Sequence, residues 1–585
     1  MNPYTAPLTE MRFLLEHVFD ASNTWSKYPA IAEAVDIDTA AAILDEADKV
    51  SRELIHPLNR EGDEQGVQFI DGKVITPDGY RDVYAQYVEG GWVGLCGESN
   101  FGGMGMPKML GVLVDEMSYS GCNAFTLYGS LTAGAALCIH AHASESLKDK
   151  FLPKLYSGEW AGAMDMTEPQ AGSDLRNIRT KAVPQADGSH HITGSKIFIT
   201  GGDHDLTENV IHLVLAKLPD TDGISLFLVP KYKVSDCGEL AGSNGVTVGS
   251  IEHKMGLKGS STCVMNYDNA QGFLVGRANR GLVCMFTMMN YERLAIGIQG
   301  LGSSQAAYQM AAEYAKERIQ GKAAQGGSGN KQGDPIIVHG DVRRMLLNIR
   351  TLTDAGRALA VFTGKQLDVA KHATGEEQKK ADRLVGLLTP VAKAFLTDRG
   401  LEATITAQQV FGGHGYIRET GIEQLVRDTR IAQIYEGTNG IQAIDFLGRK
   451  LIGDDLFALK ELVTDIQQEL DDMSHVESQY KNQLFGLINK FVEVIAEIKD
   501  KRHQQSALIN ACAVDSLDAF GYILYGYFWL KMTESAAVNM DKEFARAKQQ
   551  LTHFYFEKLL TKANYHLSLL RTGDQSVMAI DESLF

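Results

Sequence analysis

A chain of 585 residues is too long to close around one core, so several domains are expected, and a 44% hydrophobic share without a long low-complexity tract makes it soluble and globular. A formal charge of −17 argues against nucleic acid or an anionic membrane as the main partner, while leaving room for a local basic pocket. Seven cysteines, odd in number and never spaced C-x-x-C, indicate neither a disulfide framework nor a zinc site, so no metal is expected and a reducing compartment follows.

The opening MNPYTAPLTEMRFLLEHVFD is a turn-forming stretch followed by an amphipathic segment with Glu and Asp. It fits neither a secretory nor a transit peptide, and the expected location is cytoplasmic. Up to about 160, apolar residues recur at helical spacing, as in AAAILDEADKVSRELIHPL (40–58), and residues 1–160 read as a helical domain. Between 161 and 280 the period falls to two in HHITGSKIFIT, NVIHLVLAKL and GISLFLVPKYKV, giving a middle β-barrel-like domain. Helical spacing returns over 281–450, broken by GKAAQGGSGNKQGD at 321–334, whose composition reads as a mobile loop.

Residues 451–585 form an additional helical domain, with helices expected near 455–473, 479–500, 505–534 and 542–570. Its aromatic cluster Tyr522, Tyr525, Tyr527, Phe528 and Trp529 has two readings: core of a bundle, or a foot making weak membrane-surface contact. The apolar run 519–530 is too short to span a bilayer, which takes about 20 residues, so no transmembrane segment is expected there. The fold class is α+β multidomain.

Four stretches carry chemistry. AMDMTEPQAGSDLRNIR (163–179) places Thr167, Ser173 and free backbone N–H groups at a strand end, suited to the polar edge of a flat heterocycle. GSKIFITGG (194–202) ends a second strand in Thr200 and paired glycines, and QVFGGHG (409–415) lets backbone approach a ligand. No G-x-G-x-x-G follows a predicted strand and no G-x-x-x-x-G-K-[ST] occurs, so neither a Rossmann nor a P-loop site is supported. In RIAQIYEGTNGIQ (430–442), Glu436 stands between an apolar run and turn-formers, readable as an exposed loop residue or as a desolvated base aimed into a cleft.

In combination these motifs resemble the acyl-CoA dehydrogenase family: MTEPQAGSD looks like its first signature, QVFGGHGYIRETGIEQLVRD like its second, and YEGTN like the loop bearing its catalytic glutamate. The likeness covers about residues 30–450. The opening segment, FGGMGMP (101–107) and the helical C-terminus are similar to the branch containing 3-methylmercaptopropionyl-CoA and fatty acyl-CoA dehydrogenases.

The resemblance implies FAD between the β domain and the second helical domain. Its ring edge would be held by Met164, Met166, Thr167 and Ser173 and by Phe198, Ile199 and Thr200. Arg318, Gln409, Gly412, Gly413 and Thr438 match positions holding the pyrophosphate and adenosine, some from a neighbouring subunit, so a homo-oligomer, dimer or tetramer, is implied. Glu436 matches the base, with Ser173 and Arg293 near the thioester and its pantetheine arm. Glu292, beside Arg293 in NYERLAIG, stands where a minority of relatives carry that base; it either turns away or pairs with an arginine, or it is a second active-site carboxylate.

The implied reaction is α,β-desaturation of a fatty acyl-CoA to a trans-2-enoyl-CoA in β-oxidation, with electrons passing to an electron-transferring flavoprotein. The alternatives are a 3-methylmercaptopropionyl-CoA substrate, an acyl-CoA oxidase, and a non-catalytic acyl-CoA binder.

Overall fold

A computed structural model describes residues 4–324 and 332–585; residues 325–331 of the predicted loop lie outside the described residues. In the N-terminal part, α1 (Ile37–Val50) starts at Asp36, whose carboxylate accepts from Thr39 N at 2.7 Å, and buries Ala40, Leu44 and Ala47 one turn apart. Next come α2 (Lys108–Gly121), α3 (Asn123–His142) and α4 (Glu145–Tyr156). One feature departs from the helical expectation: strands Gln68–Ile70 and Lys73–Ile75 form a hairpin closed by Asp71 and Gly72, both left-handed at φ +49° and +76°. Asp-Gly is the pair that this tight hairpin turn requires.

The sheet comprises β1 (Trp160–Asp165), β2 (Lys181–Pro184), β3 (His190–Thr200), β4 (Asn209–Lys217), β5 (Ile224–Pro230), β6 (Val246–Ile251) and β7 (Thr262–Val275). Pairing runs β3–β2–β4–β5–β7 and back to β3, closing a barrel-like ring, with β6 added on β7 and β1 added parallel to β4. β1 is buried at every residue because α3 covers it: Gly162 N donates to Thr132 Oγ1 at 3.1 Å, and a side chain at Gly162 would strike Ala135. α3 is long and apolar enough to cross a membrane, but most of it is buried inside the protein.

The second helical part is built on α5 (Gly281–Glu317), α6 (Gly340–His372) and α7 (Gly375–Val410), followed by α8 (Ile422–Arg430) and α9 (Asn439–Ile444). Glycines let the long helices touch: a Cβ at Gly400 would lie 2.5 Å from Gly300 O. The C-terminal block is α10 (Phe457–Asp472), α11 (Ser478–Lys501), α12 (Leu508–Asn539), α13 (Lys542–Phe554) and α14 (Thr561–Leu570). The single helix expected over 542–570 is therefore two, joined through a wider turn at Tyr555–Leu559.

The membrane-foot reading of the aromatic cluster is overturned. Tyr522, Tyr525, Tyr527, Phe528 and Trp529 are all buried, because α12 is the central helix of the block. Tyr522 and Tyr525 meet the Phe395 ring edge-on, and Trp529 Nε1 donates to Thr351 O at 3.2 Å. Lys548 of α13 is bound by Asp354 and by Glu10 of the N-terminal segment, so the block is tied to both ends of the core.

Candidate active site

Buried polar atoms without partners mark the site. Glu292 Oε1, Arg293 Nε, Gln299 Nε2, Glu436 Oε2 and Gln442 Oε1 are all sealed from solvent with no hydrogen bond. Folded proteins seldom leave such groups unsatisfied, and a cluster of them points to an absent ligand. Glu292, Arg293 and Gln299 lie on α5; Glu436 and Gln442 belong to the loop entering α9 and to that helix.

The loop is held open by design of its neighbours. Glu436 is left-handed at φ +55°, a conformation costly for a residue with a side chain, and Gly437 follows at φ +78°. Its carbonyl accepts from Gln442 Nε2 at 3.1 Å. From α7, Lys393 Nζ donates to Gly437 O and to Asn439 Oδ1, each at 2.8 Å, while Asn439 Nδ2 donates to Thr397 Oγ1 at 2.9 Å and Asp398 Oδ1 at 2.7 Å. Thr438 caps α9, its hydroxyl accepting from Ile441 N at 3.3 Å. The Glu436 N–H donates to nothing among the described residues.

Electrostatics follow from burial. Although Glu436 as a residue keeps partial exposure, its sealed oxygen makes ionisation costly, and desolvation lifts the carboxyl to about 7 against the pull of Arg293 and Lys393. Burial likewise brings Lys393 down to about 7. Glu292 is wholly buried and raised well above the ordinary carboxylate range, first by desolvation and then by the Glu436 charge, with a single hydrogen bond among the described residues, from Ser130 Oγ at 3.3 Å. Of the two sequence-based readings of Glu292, pairing with an arginine finds no counterpart: no ion pair to it is present among the described residues.

A second cluster forms where β1 and β3 end. Met164 is buried, Met166 O accepts from Lys196 Nζ at 3.0 Å, and Thr167 O accepts from Ile197 N at 2.9 Å, so the two stretches are laced together. Glu168 anchors the lacing: Lys196 Nζ (2.8 Å), Thr180 Oγ1 (2.6 Å) and Arg179 N (2.6 Å) converge on its carboxylate. Desolvation lowers Lys196 even beside this carboxylate, while the donors around Glu168 hold it down to about 2. Phe198 sits where the β3–β7 register slips, at φ +60° and 60% exposed, so a strand bulge presents its ring outward; Ile199 beside it is buried. Ser173 is exposed.

Arg318, Gln409, Gly412 and Gly413 are not beside Glu436. They gather, exposed, where α5 and α7 end, around the stacked rings of Tyr314 and Phe411 at 4.2 Å. At 1.5 Å per residue, Gln409 stands roughly 24 Å along α7 from Lys393. Residues that sequence reasoning missed are Lys393, Gln442, Gln299 and Ser130; of these only Lys393 left a signal, as a lone cation inside the apolar run LLTPVAKAFL.

Comparison with known proteins completes the picture. Residues 38–159 match "Acyl-CoA dehydrogenase, N-terminal domain", 163–270 the middle domain, 279–451 the C-terminal domain, and 460–581 "Acetyl-CoA dehydrogenase C-terminal like". The 3-methylmercaptopropionyl-CoA dehydrogenase of Ruegeria pomeroyi is 38% identical over 98% of this chain and 99% of its own length. The chain belongs to the acyl-CoA dehydrogenase family. A butyryl-CoA dehydrogenase of Syntrophomonas wolfei is 33% identical over 100% of this chain and 99% of its own. The fold extends through the C-terminal block: the solved acyl-CoA dehydrogenase of Bacillus anthracis, complexed with FAD, covers 92% of this chain and 88% of its own at a TM-score of 0.75 and 23% identity. This family's members are oxidoreductases acting on the CH–CH bond of acyl-CoA.

Proposed function

We propose that this acyl-CoA dehydrogenase removes the α-proton and β-hydride of a short acyl-CoA, giving the trans-2-enoyl thioester, with electrons leaving to an electron-transferring flavoprotein. The observation that carries the reading is Glu436: a sealed carboxyl at about 7, on a strained turn, with its own N–H free beside it. A carboxylate tuned to the working pH is an effective proton acceptor. The free Glu436 N–H is suited to the thioester oxygen, where negative charge develops as the α-proton leaves. Arg293, buried with Nε unpartnered, supplies positive charge beside the same place.

The cofactor is FAD, and the residues fit it. The hydroxyls of Thr167 and Thr200 make no hydrogen bond within the described residues, and the bulged Phe198 ring offers a flat apolar face beside them. When bound there, FAD supplies the hydride acceptor that saturated carbon requires. Met164, Met166, Thr167, Ser173, Phe198, Ile199 and Thr200 would hold its ring edge. The exposed Arg318, Gln409, Gly412 and Gly413 would hold the distal portion of a cofactor seated in a neighbouring copy.

For the acyl group, a fatty acyl substrate is less well supported than the 3-methylmercaptopropionyl alternative, since the relative of that name is 38% identical over nearly its full length against 33% for the butyryl-CoA dehydrogenase. Anaerobic titration of the purified yellow protein with 3-methylthiopropanoyl-, butyryl- and octanoyl-CoA tests the reading through bleaching of the flavin. Bleaching strongest with the first supports it; a colourless protein that binds acyl-CoA supports a binder, and rapid aerobic turnover with peroxide an oxidase.

A further inference from the structure

A cavity of about 60 Å³ lies between the N-terminal helices and α5. Ser130 of α3 lines it and bonds Glu292, and Tyr291, the residue before Glu292, lines it too. Through Ser130 the cavity adjoins Glu292 on the side facing the N-terminal domain. Its volume is less than half of the roughly 150 Å³ that admits benzene in an engineered apolar cavity. A long alkyl chain does not fit.

The wall on the α2 side is charged. Lys108 Nζ lies 2.8 Å from Asp115 Oδ2, 3.4 Å from Tyr291 Oη and 4.4 Å above the Tyr291 ring, and all three residues line the cavity. Lys108 is buried and fixed in place, because Asp368 caps α2 by accepting from Lys108 N at 2.7 Å and Met109 N at 2.9 Å. An ammonium has three donors, of which two are used here. Covering such a pair with a methyl terminus strips water from it and returns nothing, so an all-carbon tail is penalised. A carboxylate tail is penalised as well, since Asp115 already neutralises Lys108. A neutral, weakly accepting atom meets the spare donor at no such cost.

We propose that Lys108, Asp115 and Tyr291 form the specificity wall of the acyl pocket, selecting short acyl thioesters with a neutral acceptor atom, thioether sulfur or ether oxygen, near the tail. The inference rests on the desaturation reading above and deepens it.

The test compares the rate constant of flavin reduction over Kd, from anaerobic stopped-flow bleaching, for 3-methylthiopropanoyl-CoA, 3-methoxypropanoyl-CoA, the all-carbon isostere pentanoyl-CoA, and octanoyl-CoA. The two heteroatom substrates are expected to exceed pentanoyl-CoA by about tenfold or more, the scale on which a matched buried polar group discriminates. In Lys108→Met/Asp115→Leu that ratio is expected to fall to near one. Pentanoyl- or octanoyl-CoA equal to the heteroatom pair in the wild type overturns the proposal, as does an unchanged ratio in a double variant that keeps its flavin. Should the double variant not fold, the wild-type series decides alone, with Tyr291→Phe as the milder probe. If no acyl-CoA bleaches the flavin, the desaturation reading has failed, and the same series read as dissociation constants by calorimetry still tests the wall.

Discussion

Glu292 and Glu436 share one water-excluded site and are electrically coupled. Burial lifts Glu292 and the Glu436 charge lifts it further, while Arg293 and Lys393 hold Glu436 at about 7. Both carboxyls are therefore lifted above the ordinary carboxylate range, and they titrate as a coupled pair.

The first consequence is a pH profile. Flavin reduction by bound acyl-CoA is expected to rise through about pH 7 and level off above it, as Glu436 loses its proton. Glu436→Gln should keep flavin and acyl-CoA binding while losing reduction by about 10³-fold or more. The sign for stability is opposite: a carboxyl whose folded value lies above its unfolded one favours the folded state at low pH, and this contribution is lost as pH rises to about 7. Glu436→Gln should thus melt higher than wild type at pH 8. Stopped-flow bleaching and thermal melts across pH check both; near-normal reduction in the variant would sink the assignment.

Lys393 gives the second. It grips the Glu436 loop at Gly437 O and Asn439, and its charge lowers Glu436. Lys393→Met should slow flavin reduction and move the midpoint of the pH profile upward. A slower enzyme with the midpoint unmoved would mean that Lys393 acts through loop shape alone.

How much of this was legible in the sequence depends on range. The turn at Glu436 and the lacing of 163–179 to 194–202 are local: strand ends and turn-formers announce them. The order of helices, β domain and helices is likewise written in the period of the apolar residues. Lys393 stood out only as a lone cation in an apolar run, and its role was hidden because its partners lie some 45 residues away, at Gly437 and Asn439. The Lys108–Asp115–Tyr291 wall was silent for the same reason, Tyr291 being 183 residues from Lys108. Phe198 was visible as a residue, but its bulge arises from register against β7. The aromatic cluster left its core and membrane readings both open because a helix buried on every side and one meeting lipid read alike in sequence; Phe395 and Thr351, supplied by α7 and α6, decide for the core.

The third prediction concerns that block. Trp529 is wholly buried, with its indole bonded to Thr351 O, so Trp529→Ala should cost about 3–5 kcal/mol, seen as a lower denaturant midpoint. Deleting residues after 455 should bare Phe395 and the α6 face and cause aggregation or altered assembly. A soluble truncated protein of unchanged size and activity would show the block to be an appendage. Lipid vesicles should not retain the intact protein, since the rings that would insert are inside.

The last prediction asks whether Glu292 can act. It is placed close to α3 because Gly134 has no side chain: a Cβ there would lie 2.3 Å from Glu292 Oε1. Among the described residues that oxygen has no partner, and the carboxyl is held only by Ser130. Removing the Glu436 side chain takes away the charge that raises Glu292 and opens room for it, and glycine suits the left-handed backbone at that position. Glu436→Gly should therefore retain measurable flavin reduction, with its pH midpoint still above the ordinary carboxylate range because burial persists. Glu436→Gly with Glu292→Gln should have almost none. Single-turnover bleaching of both across pH separates the cases, and Gly134→Ala in the Glu436→Gly background, which pushes Glu292 away, should behave like the double variant. If the single and double variants leave the same residual rate, Glu292 does not take the proton.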